Sequence, residues 1–152
     1  MKQYILTFIF CLLATLFFAI LQKSPKRFIA YSALLGAVGY VVFLVLKNHV
    51  SQLFGYFVAT LLISIGAEIL ARVLKTPASI FMTPAVIPLV PGMGLYKTML
   101  ALVGQDVALA AREGSATMLI ISVMAGAIAL NSFFVRMFVG VIKSYKARDK
   151  KA

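Results

Sequence analysis

The stretch FMTPAVIPLVPGMGLYKTML, residues 81–100, is apolar enough for a membrane span yet holds three prolines, two glycines and one lysine. Each proline removes an amide donor and clashes with the carbonyl four residues back, so Pro84, Pro88 and Pro91 deprive the carbonyls of Ile80, Pro84 and Ile87 of helical partners. The residue ahead of each proline is also pushed out of helical geometry. One proline kinks a helix, whereas three so close together, followed by Gly92 and Gly94, are expected to break it between Pro88 and Gly94. Lipid offers no hydrogen bonds, so unwound backbone at membrane depth survives only where protein or a cavity surrounds it.

The rest of the chain supports the membrane reading. Its 152 residues are 62% hydrophobic, with a mean hydropathy of +1.02. Five stretches are long enough to cross a bilayer, at about 4–22, 28–46, 52–74, 79–104 and 115–142. No two-residue alternation marks a barrel strand, so the expected fold is all-α, a single transmembrane domain of five helices over residues 1–152. The first stretch, YILTFIFCLLATLFFAILQ, is too long for the apolar core of a signal peptide and no small-x-small site precedes Lys23, so it reads as a retained span.

Charge placement gives the topology. With five spans and the N-terminus outside, one side collects Lys23, Lys26, Arg27, Arg72, Lys75, Lys143, Lys146, Arg148, Lys150 and Lys151. The other side collects only Lys2, Lys47 and Arg112, which is the positive-inside pattern and makes the C-terminus cytoplasmic. A re-entrant loop at 79–104 would instead leave the C-terminal lysines outside, so that segment is expected to cross fully. The formal charge of +11 thus points to lipid headgroups rather than nucleic acid, since no aromatic or glycine pattern accompanies the lysines. The tail KSYKARDKK is expected to lie against the cytoplasmic face of the bilayer.

By count, Pro91–Gly94 falls close to the middle of the bilayer, and the half-helix LYKTMLALV starts there. Its exposed amides and positive dipole end suit a carboxylate, and Lys97 in the first turn adds a full charge. Gly92 and Gly94 would let a ligand approach the backbone, and Tyr96 or Thr98 could supply a hydroxyl. The plainer alternative is a kinked structural helix with Lys97 reaching for the interface.

Two further groups stand out. Tyr56, Thr60, Ser64, Glu68 and Arg72 recur every four residues and make one side of the third span polar. An intramembrane carboxylate is costly, so Glu68 is a candidate for ion coupling, with simple pairing to Arg72 as the alternative. Asn131, near the middle of the last span, is a candidate substrate contact or an interhelical hydrogen-bond donor. The last span is expected to start at an N-cap-like Gly114-Ser115, with QDVALAAREG a short amphipathic turn or helix on the outer side whose Asp106 and Glu113 form a solvated rim.

These residues resemble a family. Glu68-x-x-x-Arg72 in one span, Thr76-Pro77-Ala78 in a basic link, the block Ile87-Pro88-Leu89-Val90-Pro91-Gly92, then Tyr96-Lys97 and a final span rich in small residues, are similar to the threonine/serine exporter (ThrE) family. More narrowly, the chain resembles the small membrane subunit of its split version. The resemblance implies a proton-motive-force-linked exporter of threonine/serine-type amino acids or of dicarboxylates such as succinate, in the bacterial inner membrane. It implies a larger membrane subunit as partner, with further copies of this chain as a second option, and maps the family's glycine-rich segment onto Pro88, Pro91, Gly92 and Gly94.

The competing function class is a membrane scaffold or assembly factor acting through the basic tail. An enzyme is not expected, because no paired carboxylates and no nucleophile with a base are present. Neither a metal nor a cofactor is expected, since Cys11 and His49 are the only cysteine and histidine.

Overall fold

The computed structural model describes residues 2–149, with side chains over residues 4–137. Among these it is all helical: α1 Lys2–Leu21, α2 Lys26–His49, α3 Gln52–Leu74, α4 Ser79–Val86, α5 Gly92–Val103 and α6 Val107–Asp149, with a 3₁₀ turn at Ile87–Leu89 joining α4 to α5. Four helices are long and apolar enough to cross a membrane, namely α1, α2, α3 and α6, and α4 with α5 form a pair bent by 59°. The basic tail runs into α6 and then beyond the described residues, and the side chains of Lys143 to Lys151 lie outside what is described.

Small residues set the packing directions. Without a hydrophobic drive between helices in lipid, close approach at glycine and alanine supplies the contact. Gly39 sits against Ile63, and Gly55 against the backbone of Phe43 and Lys47, which fixes α2 antiparallel to α3. Gly36 faces both Thr15 of α1 and the backbone of Ala85 in α4. Phe43, Tyr56, Ile63, Leu89 and Met124 belong to one buried cluster, and Phe28, Ala67 and Phe81 to a second at the other end.

The break between α4 and α5 is narrower than the prolines suggest. Only Val90 and Pro91 leave helical structure, whereas Pro84 lies within α4 and Pro88 within the 3₁₀ turn. All three expected orphan carbonyls find donors: the Ser32 hydroxyl, shared with the Phe28 carbonyl, reaches that of Ile80 at 3.4 Å. The Ile87 amide bonds to the Pro84 carbonyl, and the Val90 amide bonds to that of Ile87 at 3.1 Å. Tightening to 3₁₀ bonds therefore absorbs two of the three missing amides.

Two expectations are corrected. The break is off-centre in the bundle: Pro91, Met93 and Gly94 share a cleft with Lys47, Gln52 and Tyr56, at the His49 and Gln52 ends of α2 and α3. Counting residues along a straight span misplaces it because α5 turns away at the bend. The last helix also does not start at Gly114-Ser115. Asp106 caps it, its carboxylate accepting from the Leu109 amide at 2.9 Å, and no proline follows to stop the helix running through Gly114. QDVALAAREG is mostly helical, as one of its two readings had it, but it forms the first turns of α6 rather than a separate piece.

Asn131 bonds Ser64, and Ala116 and Ile120 share a cleft with Gln52 and Tyr56, so α6 runs parallel to α3. From that register α6 extends past the Gln52 end of α3 by about 18 Å at 1.5 Å per residue. Its extra turns pair with α5 as a helical hairpin, and α5 packs chiefly on α6.

Candidate functional site

Where this hairpin meets the ends of α2 and α3, a cleft of ≈ 630 Å³ opens. It is bounded on the α5 side by Pro91, Gly94 and Lys97, on the α3 side by Gln52 and Tyr56. Lys47 of α2 and Glu113 of α6 complete it, so both signs of charge border one space.

The hairpin is held by a glycine. A Cβ on Gly94 would collide with the Thr117 hydroxyl, so only glycine allows α5 to lie this close to α6. The Thr117 hydroxyl donates to the Glu113 carbonyl at 2.7 Å, and the Thr98 hydroxyl donates to that of Gly94 at 2.8 Å. Both hydroxyls are thereby spent on their own helices, the common way of satisfying threonine inside an apolar helix. The start of α5 is different: Pro91 stands at its N-cap and no side chain caps it. Met93 and Gly94, in the first turn of that helix, line the cleft, so the positive end of a twelve-residue helix borders it.

The structure brings together part of what the sequence singled out. Pro91, Gly94 and Lys97 share the cleft. Gly92 is exposed, and a Cβ there would meet nothing within 4 Å. Tyr96 is 62% exposed and does not line the cleft. Asn131 is buried between α6 and α3, donating to the Ser64 hydroxyl at 2.8 Å. Glu68 lies at the other end of α3, 3.9 Å from Arg72. Pro84 and Pro88 shape the bend from within α4 and the 3₁₀ turn.

Lys47, Gln52 and Glu113 are cleft residues that sequence reasoning passed over. Each looks like an ordinary rim residue at a helix end, and only the tertiary fold collects them. One signal pointed to Glu113: α5 and α6 are joined by the short link Gly104–Asp106, which sets Lys97 and Glu113 on facing helices.

The family description "Threonine/Serine exporter, ThrE" matches residues 7–152. An uncharacterized protein of Haemophilus influenzae is 34% identical over 88 residues, which make up 57% of this chain and 29% of that relative. The match thus spans under a third of the relative's length. No solved structure matches the chain.

Proposed function

Since the chain belongs to the threonine/serine exporter ThrE family, we propose that it is the small membrane subunit of a two-component, proton-motive-force-driven exporter of small carboxylate-bearing metabolites. The observation that carries this reading is the uncapped α5 N-terminus opening on a cleft that also holds Lys47 and Lys97. Helix-end amides and two ammonium groups form a receptor for a carboxylate. Glu113 on the same cleft suits an ammonium group and repels a second carboxylate, which favours a zwitterionic amino acid over a dicarboxylate.

In this reading the bent pair α4–α5 acts as one crossing, giving five spans. Lys23, Lys26, Arg27, Arg72 and Lys75 gather at the end of the bundle away from the cleft, which supports a cytoplasmic C-terminus and a cleft on the outer side. The larger subunit covers the apolar outer face of the hairpin, where Met99 and Val103 are exposed.

The test is export of labelled threonine from intact bacteria carrying the chain and its partner subunit. Replacing one charged donor in a carboxylate receptor costs roughly 1.5–3 kcal/mol, so Lys97→Gln lowers apparent affinity by about tenfold or more. Lys23→Gln, at the opposite end, leaves export unchanged. Wild-type export by Lys97→Gln at normal membrane abundance would reject the cleft as the site.

A further inference from the structure

Two buried hydroxyl oxygens lack a partner among the described residues, that of Thr76 in the link after α3 and that of Thr60 within it, and Thr60 is unlike the other threonines inside helices. Thr15, Thr98 and Thr117 each donate to the carbonyl four residues earlier, at 2.7 to 2.8 Å. Thr60, wholly buried within α3, makes no such bond, and its Oγ1 has no hydrogen-bond partner among the described residues. Leaving a buried hydroxyl unpaired costs about 1–3 kcal/mol, although the ordinary back-bond would remove that cost.

Its position on α3 gives the cost a use. One turn towards the cleft stands Tyr56, which lines it, and one turn away stands Ser64, held by Asn131. A further turn on is Glu68, whose carboxylate is 30% exposed at the opposite end and only loosely paired to Arg72 at 3.9 Å. Polar groups therefore recur at every turn from the cleft to a titratable carboxylate. Residues four apart rise about 6 Å, too far for a direct hydrogen bond and the right spacing for one bridging water.

Resting on the exporter reading above, we propose that Tyr56, Thr60, Ser64 and Glu68, with Asn131 steadying the middle, form a proton path along α3 between the cleft and the opposite end of the bundle. Each hydroxyl accepts a proton from the water on one side and releases its own to the water on the other. One proton moves per pass, no heavy-atom bond changes, and Glu68 takes up or gives off that proton at the far end. Thr60 is the relay group whose hydroxyl is not committed elsewhere. The charged and titratable groups on the helices packed at the Glu68 end are Arg72 of α3 with Lys75 just past it, Arg136 of α6, and Lys26, Arg27 and Tyr31 of α2. The short helix α4 contributes none.

The experiment uses inverted membrane vesicles from bacteria making the full chain with its partner. It compares threonine movement driven by an imposed pH gradient with threonine exchange in the absence of a gradient. Thr60→Val keeps the shape and removes the hydroxyl, and Thr60→Ser keeps the hydroxyl. A positioned proton carrier is worth at least about a hundredfold in many settings, so Thr60→Val is expected to lose gradient-driven transport by tenfold or more. Exchange should stay near wild type, Thr60→Ser should retain both activities, and Glu68→Gln should repeat the Thr60→Val pattern. Gradient-driven transport intact in Thr60→Val, or lost together with exchange, overturns the path. If the wild type moves neither threonine nor succinate, the exporter reading fails separately. Proton entry after an acid pulse, followed with a trapped pH dye, then decides the path: equal rates in wild type and Thr60→Val overturn it.

Discussion

The Asn131 amide donates a 2.8 Å hydrogen bond to the Ser64 hydroxyl, a side-chain pair that fixes the register of α6 against α3. Both residues are buried, at 7% and 2% exposure, so neither reaches bulk water. Their two losses are unequal. Ser64, once deprived of Asn131, can turn its hydroxyl to the carbonyl four residues earlier, whereas Asn131 has no such local refuge.

Asn131→Ala is therefore expected to cost about 1 kcal/mol, in the range measured for interhelical bonds in membranes. Ser64→Ala should cost more, because it strands a buried amide, roughly 1–3 kcal/mol. Thermal denaturation of the purified protein in detergent measures both. A larger loss in Asn131→Ala than in Ser64→Ala contradicts this ordering.

The two glycines at the start of α5 are expected to separate sharply. Gly94→Ala drives a methyl into the Thr117 hydroxyl and pushes the hairpin apart, at a cost of about 1–3 kcal/mol for overpacking. Gly92→Ala meets open space and should leave export within about twofold of wild type. Adding Thr117→Ala to Gly94→Ala should restore part of the loss. Export rates normalised to membrane abundance check all three variants, and a harmful Gly92→Ala with a harmless Gly94→Ala would show the close approach to lie elsewhere.

Glu113 is expected to govern selectivity more than rate. In Glu113→Gln the attraction for an ammonium group and the repulsion of a second carboxylate both fall. The preference for threonine over succinate should then drop by about tenfold, through loss of a charge-assisted contact. Competition between labelled threonine and unlabelled succinate reads this directly. An unchanged preference would place Glu113 outside the selective part of the cleft.

What was legible in the sequence follows from where the physics is local. The bilayer demands long apolar helices, so α1, α2 and α3 were readable from residue type alone, and α3 to its exact ends. Proline chemistry placed the break at the right residues, since losing an amide is a property of one residue. Its extent was misjudged because 3₁₀ bonds repair two of the carbonyls and Ser32, 48 positions away from Ile80, repairs the third. The start of α6 was missed because Gly114-Ser115 resembles a cap, although Asp106 had already supplied one. The cleft was half legible. Lys97 follows from the break, but Lys47, Gln52 and Glu113 become neighbours only through packing between helices.

The unbroken course of α6 has a mechanical consequence. Its 43 residues make a rod about 64 Å long at 1.5 Å per residue, roughly twice the thickness of a hydrocarbon core. Glu113 at the cleft and the basic turns near Asp149 thus belong to one lever, with Asn131 and Ser64 near its fulcrum. A tilt of about 10° about that point would swing each arm by several ångströms in opposite directions, on the simple geometry of a stiff helix. A ligand held at the proposed site would thereby act on the far end of α6 without any intervening joint.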